Sequence, residues 1–162
     1  MGFMLEIDPK GTGARVDSYL KHDFERYLRL SGKHRTDIGS PSLSGMPGGS
    51  SGNSNSQEDK VIEGAYASQV VEAIAVTIRN CSDYDERKPY KQILIDYYIR
   101  GLQNFKIAQK IGYSERQFDH KKQMALCEFA DRFEYWKIVY HVQDQPCLQV
   151  MQKAESCGQS AG

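Results

Sequence analysis

Apolar residues recur at intervals of three and four along most of the chain, which is the spacing of an amphipathic helix. The first series predicts a helix over roughly 14–30: Val16, Leu20, Phe24, Tyr27 and Leu28. A broader stripe predicts a long helix that starts after Ser56 and runs to about Arg79: Val61, Ile62, Ala65, Val70, Val71, Ile74, Ala75 and Ile78. Each stripe is suited to packing against another helix, so these patterns favour a helical fold.

Three more helices are predicted in the C-terminal half. The first covers 90–100, has Ile93, Leu94, Tyr97 and Tyr98 inward, and ends at Gly101. The second is short, and its apolar face is Ile107, Ala108 and Ile111. The third starts after Ser114 and extends to about 135: Phe118, Ala125, Leu126, Phe129, Ala130 and Phe133. Beyond residue 138 the helical pattern stops. A short strand is expected near 139–142, and either a short strand or a turn of helix near 147–151. The predicted fold is therefore all-α.

Composition divides the chain into four segments. Residues 1–30 form a helical N-terminal arm, and 31–57, rich in Ser, Gly, Asn and Pro, are expected to be a flexible linker because they offer little to bury. Residues 58–137 form a helical domain, and 138–162 form a C-terminal extension whose tail is expected to be disordered.

Local signals around Gly112 predict a helix-turn-helix within about 90–136. Gly112 stands where a helix end favours a residue that tolerates positive φ. Ser114 and Gln117 have the spacing of a capping box, which starts a second helix at a fixed point. Such a unit either binds DNA through its second helix or is an ordinary helical hairpin.

Net charge excludes some partners. The 162 residues contain 21 Lys and Arg and 21 Asp and Glu, so the chain is neither uniformly basic nor polybasic. The four cysteines are far apart and are interpreted as free thiols of a cytosolic protein. No apolar run is expected to cross a membrane.

Catalytic and metal-binding patterns are not found in the sequence. The four histidines are scattered, and His120 and Cys127, seven residues apart, make a poor two-ligand site. We therefore expect no enzyme activity, no cofactor and no metal.

Polar residues dominate the first two turns of the last helix. Between 100 and 122 there are six basic residues and two acids, a local charge of +4 in a neutral chain. Arg, Gln and acidic side chains can read base edges, and Lys can contact phosphate. The candidate residues are Glu115, Arg116, Gln117, Asp119, His120, Lys121 and Lys122. Phe118 is predicted to point the other way, into the core with Ile107 and Ile111. The alternative interpretation is an ordinary solvated helix start.

Residues 95–108 and 111–116 are similar to the helix-turn-helix of sigma-factor region 4. Within that group the chain resembles the ArpU-type phage transcriptional regulators. The resemblance covers roughly 20–136 and is most specific at 95–133. It rests on Asn104, on 106–117, on 121–122, on 125–126 and on 128–133, with shorter matches between 40 and 60.

This resemblance implies a role and a set of DNA-facing residues. The role is control of late packaging and lysis genes of a phage or prophage, most simply as an activator in the cytoplasm of a bacterial host. The implied residues are Asn104, Lys106, Tyr113, Ser114, Glu115, Arg116 and Gln117, followed by Asp119, His120, Lys121 and Lys122. Lys106 and Asp119 depart from the sigma pattern, which is usually acidic and basic at those positions. The other sigma regions, needed to open a promoter, are not present in this sequence.

The expected partner is double-stranded promoter DNA, and host RNA polymerase is a second candidate partner. Two reading helices usually bind one site, so a homodimer is expected, with its seam at 70–78 or in the C-terminal segment. Two alternatives remain open. The first alternative is a DNA-packaging adaptor like a small terminase subunit, and the second is a sigma-like module that binds polymerase alone.

Overall fold

The computed structural model describes residues 6–38, 55–84 and 87–152. The structure is all-α, with 72% of the described residues helical and 5% in strands. Over the described residues the α-helices are α1 (Pro9–Ser18), α2 (Phe24–Leu30), α3 (Arg35–Ile38), α4 (Asn55–Arg79), α5 (Tyr90–Leu94), α6 (Asn104–Ile111) and α7 (Glu115–Val139). Two π-helical turns, π1 (Tyr19–Asp23) and π2 (Ile95–Ile99), follow α1 and α5 directly. A two-stranded antiparallel hairpin joins β1 (Asp83–Tyr84) to β2 (Lys88–Pro89).

The predicted N-terminal helix forms as one run through α1, π1 and α2. Asp8 caps it by accepting from the Lys10 amide at 3.2 Å, and Pro9 occupies the first turn. Its apolar residues recur every four positions, which overshoots a turn of 3.6. The wider turn of π1 absorbs that drift, so Val16, Leu20 and Phe24 are all fully buried.

Helix α4 supplies the centre of the main core. It packs against α2 and α7, and its buried apolar residues are Ala67, Val70, Val71, Ala73, Ile74, Ala75 and Ile78. Val61 and Ile62, at the start of the same stripe, are instead 57% and 66% exposed. Against expectation, Gln57–Arg79 is long and apolar enough to cross a membrane, and 44% of that window is buried in the fold. Since the core helix of a bundle has the same composition, we assign α4 to the core.

Residues 140–152, which we call the strap, do not form the expected strands. Helix α7 continues through Val139, and His141 has a φ of 59°, so the predicted strand at 139–142 does not form. At 147–151, where a strand or a turn of helix was expected, neither forms apart from one antiparallel bridge, which pairs Ile7 with Met151. The strap returns the chain to the N-terminus, where the Asp8 amide donates to the Val150 carbonyl at 2.7 Å.

Two buried polar residues fix the strap to the bundle. The Gln145 side chain accepts from the Tyr19 hydroxyl at 2.7 Å and donates to the hydroxyls of Tyr27 and Tyr66 at 2.9 and 3.0 Å. Lys137 donates to the Gln145 and Pro146 carbonyls at 3.2 and 3.4 Å. Lys137 Nζ also lies 2.8 Å from Glu134 Oε1, an ion pair whose geometry is not that of a hydrogen bond. These contacts tie the end of α7 to the N-terminal helices.

The first residues of the predicted linker are structured. Ile38, in α3, is 6% exposed, and Arg35 joins three elements of the bundle. The Arg35 guanidinium pairs with Glu25 at 2.8 Å and donates to the Tyr98 carbonyl at 2.7 Å. The remainder of the linker up to residue 54 and the predicted disordered tail from 153 lie outside the described residues.

Candidate nucleic-acid interface

Helices α6 and α7 are joined by a turn of the predicted geometry. Gly112 has a φ of 87°, in the left-handed region, and the amides of Gly112 and Tyr113 both donate to the Ala108 carbonyl. The Ser114 hydroxyl accepts from the Gln117 amide at 3.2 Å, and the Gln117 side chain accepts from the Ser114 amide at 3.0 Å. This reciprocal capping box fixes the first residue of α7, as the sequence predicted.

A small apolar cluster sets the angle between the two helices. Phe118 and Ile107 are fully buried, Ala108 is 3% exposed, and Ile93 of α5 completes the cluster. Ile111 and Tyr113 pack against it while remaining half-buried. Phe118 therefore points away from the polar residues beside it, as predicted. The cluster is separate from the main core, so it holds α6 by few contacts.

Helix α1 covers one side of α7. An added Cβ at Gly13 would lie 3.5 Å from Gln123 Cγ and 3.8 Å from Leu126 Cδ1, both on α7. A shallow groove of about 300 Å³ runs along this contact, and its lining includes Lys10, Lys21, Asp17, Asp119 and Lys122. The N-terminal arm therefore packs along the start of α7.

Most of the predicted DNA-facing residues are exposed. These are Asn104, Lys106, Ser114, Glu115, Arg116, Gln117, Asp119 and His120. Tyr113, Lys121 and Lys122 are half-buried. Lys121 Nζ donates to the Arg87 carbonyl at 2.7 Å, and Lys122 Nζ lies 3.4 Å from the centre of the Tyr97 ring. Both lysines are therefore held by neighbouring elements, whereas Arg116 and His120 lie one turn apart on the exposed surface of α7.

A larger groove brings the starts of α6 and α7 together. It has a volume of about 780 Å³, and Asn104, Glu115 and Asp119 lie on its walls. Lys21 from π1 and Arg35 from α3 also line it. The ion pair of Lys21 with Asp17, at 3.1 Å, raises the pKa of the Lys21 ammonium, so this cation stays charged. Asp119 and Lys21 therefore line the same groove, although the ion pair of Lys21 is with Asp17.

Asp96 is a buried charge that sequence reasoning missed. Its side chain is 1% exposed, and its two oxygens lie 3.1 Å from Arg100 Nη1 and 3.2 Å from Lys110 Nζ. Arg100 and Lys110 are two of the six cations that made the local charge +4. The Asp96–Arg100 spacing of four residues was a visible signal of a helical ion pair, although burial of the acid was not.

Within the described ranges no group of three His, Cys, Asp or Glu side chains has the arrangement of a metal site. Burial, together with the hydrogen bond donated to Asp17 at 2.6 Å, raises the pKa of the Tyr98 hydroxyl, so it remains protonated.

Fold and site together define an all-α protein with a capped two-helix unit whose second helix presents polar side chains. No family model matches the chain, and no solved structure matches it. The chain is 28% identical to the "Putative autolysin regulatory protein ArpU" of Enterococcus hirae over 139 residues, which are 86% of this chain and 98% of that protein. This similarity supports an ArpU-like family and spans most of this chain and nearly all of that protein.

Proposed function

We propose that the chain is a sequence-specific DNA-binding regulator of transcription whose reading helix is the start of α7. The observation that carries this proposal is the exposed polar surface on the first two turns of α7, held by the capping box and by buried Phe118. A major groove about 12 Å wide admits one helix, so these turns are the part of the molecule suited to enter it.

Arg116 and His120 are the side chains best placed to read bases. Both are exposed and share one side of α7. An arginine binds guanine through two parallel hydrogen bonds, and each such pair discriminates by about 1–3 kcal/mol. The Oε1 atom of Gln117 is already used by the capping box, so its contribution to reading is smaller. Lys106, exposed on α6, is suited to a flanking phosphate.

The proposed biological role follows the similarity to a protein whose name describes it as regulatory. We extend that role to activation of late genes of a phage or prophage, in the cytoplasm of its bacterial host, with RNA polymerase as a second partner. No catalysed reaction, cofactor or metal forms part of this function.

The proposed homodimer uses the C-terminal segment rather than 70–78. Val70, Val71 and Ile74 are fully buried inside the subunit, so they are not accessible to a second subunit. At the end of α7, Tyr135, Ile138 and Val139 are 63%, 61% and 44% exposed, which leaves an apolar surface for a seam.

The test is DNA affinity, measured by fluorescence anisotropy on fragments from the chain's own genomic neighbourhood. Arg116→Ala is expected to weaken specific binding about 5- to 150-fold, since it removes about 1–3 kcal/mol of base recognition. Lys60→Ala is the matched control, because exposed Lys60 lies near the start of α4. Tyr66, further along α4, donates a hydrogen bond to Asp144, which follows the C-terminal end of α7. Lys60 therefore lies towards that end, whereas Arg116 is at the N-terminal end of α7. Equal affinities of wild type, Arg116→Ala and Lys60→Ala would exclude the proposed reading helix.

Light-scattering mass separates the alternative functions. A dimer is expected for the regulator. A ring of eight or more subunits would support the DNA-packaging adaptor instead, and a protein that binds polymerase but no DNA would support the polymerase-binding module.

A further inference from the structure

A buried carboxylate of π2, Asp96, pairs with cations beside and within the two-helix unit. Asp96 holds Arg100 through Oδ1 and Lys110 through Oδ2, and its carbonyl accepts from the Leu102 amide at 2.9 Å. Removing the partners of a buried charge is strongly unfavourable, because the charge has lost its hydration and gains nothing in return. Arg100 and Lys110 are therefore held more firmly than the cations of ion pairs in which both side chains are exposed to solvent.

Helix α6 provides an internal comparison. Lys106 and Lys110 are one turn apart on the same side of α6, and both are exposed. Lys110 is bound to Asp96, whereas Lys106 has no ion pair within the part of the chain that the structure describes. The two lysines thus have the same charge and the same helix but differ in the carboxylate beneath them.

We propose that Asp96 is an internal counter-ion that withholds Arg100 and Lys110 from the phosphates of bound DNA. A phosphate that recruited either cation would leave Asp96 with a lost partner, whereas Lys106 and Arg116 give up only water and counter-ions. Sequence-independent affinity therefore rests on fewer cations than the sequence suggests, which limits binding to unrelated DNA. This inference rests on the proposed DNA-binding function and identifies Asp96 as a positioning residue.

The dependence of affinity on salt measures the number of phosphate contacts directly. Each lysine–phosphate contact contributes about −0.9 to the slope of log K against log salt concentration. Lys106→Gln is expected to make the slope shallower by about 0.9. Between 50 and 200 mM salt, the affinity of this variant should therefore fall by a factor roughly threefold smaller than that of the wild type. Lys110→Gln, which removes the same charge one turn away, is expected to leave the slope unchanged.

Removing the counter-ion is the reciprocal experiment. Asp96→Asn keeps the shape of the side chain and is expected to steepen the slope by about 0.9 for each cation released. In the Asp96→Asn background, Lys110→Gln should then make the slope shallower by about 0.9. Asp96→Glu retains the charge and is expected to keep the wild-type slope. A merely structural role of Asp96 predicts lower stability for Asp96→Asn but no steeper slope.

The outcomes are distinct. Lys106→Gln and Lys110→Gln giving equal losses of slope would overturn the inference while leaving the proposed function intact. Wild-type protein with no measurable DNA affinity at low salt would overturn both. If circular dichroism shows that Asp96→Asn does not fold, Lys106→Gln and Lys110→Gln, both of which keep Asp96, still decide the question.

Discussion

Phe118 links the stability of the two-helix unit to its proposed function. The side chain is fully buried, and it shares its cluster with the buried residues Ile93, Ile107 and Ala108. Phe→Ala at such a site costs about 3–5 kcal/mol, because the transfer energy is lost and a cavity remains. This cost is a large share of the 5–15 kcal/mol that stabilises a typical domain. Since the small cluster is separate from the main core, we expect α6 to open locally in Phe118→Ala while the rest of the bundle stays folded.

Amide hydrogen exchange distinguishes this local opening from global unfolding. In Phe118→Ala, the amides of Ile107 and Ala108 should exchange about 150- to 5,000-fold faster, and the Ile74 amide in α4 should change little. Phe129→Ala is the matched control, since Phe129 is equally buried but lies in the main core. It should accelerate the Ile74 amide. Equal acceleration of Ile107 and Ile74 in Phe118→Ala would refute the separation of the two cores.

Three further outcomes test the fold. Ser114→Ala should lower the free energy of unfolding by about 1 kcal/mol in urea titrations, because it removes the N-cap of α7, and an unchanged midpoint would contradict the role of the capping box. Gln145→Met should lower it by about 1–3 kcal/mol, since the Tyr19 and Tyr27 hydroxyls lose their partner; equal stability would show that the strap contributes nothing. Burial first, and then the hydrogen bond to Asp144, raises the pKa of Tyr66 from 10.0 to about 12. Because the folded state holds this proton more tightly, its contribution to stability is complete below pH 10 and is lost as the pH rises towards 12. Tyr66→Phe should therefore show a shallower alkaline decline, whereas an identical pH profile would contradict this linkage.

Sequence reasoning predicted most of the features that depend on neighbouring residues. Gly112, Ser114 and Gln117 gave the turn and the cap because their effects act within one helical turn. The inward position of Phe118 followed from helical periodicity. Burial of the central part of α4 followed in the same way, although Val61 and Ile62 show that the stripe alone does not say which of its residues the rest of the chain covers.

Features that depend on distant segments were not predictable from local patterns. The strap is fixed by Gln145, whose partner Tyr19 is 126 positions earlier in the chain. The short apolar runs near 139–142 and 147–151 read as strands because period-two patterns are ambiguous over a few residues. The engagement of Lys122 with Tyr97 depends on how α7 packs against π2, which spacing along the chain does not reveal.

The charge of the proposed interface shows the same limit. Counting residues gives a basic surface, whereas the structure places Asp96 beneath Arg100 and Lys110. Burial changes the meaning of a charge, because a paired buried acid neutralises cations that a count treats as available. The residues that remain for the proposed DNA contact are fewer and are centred on Arg116.

A footprint of the purified protein on its own genomic neighbourhood tests the central claim most directly. The account predicts that wild-type protein and Lys60→Ala protect the same short segment, and that Arg116→Ala protects it only at much higher concentration. No discrete protected segment, or equal protection by Arg116→Ala, would contradict the claim that the start of α7 reads DNA sequence.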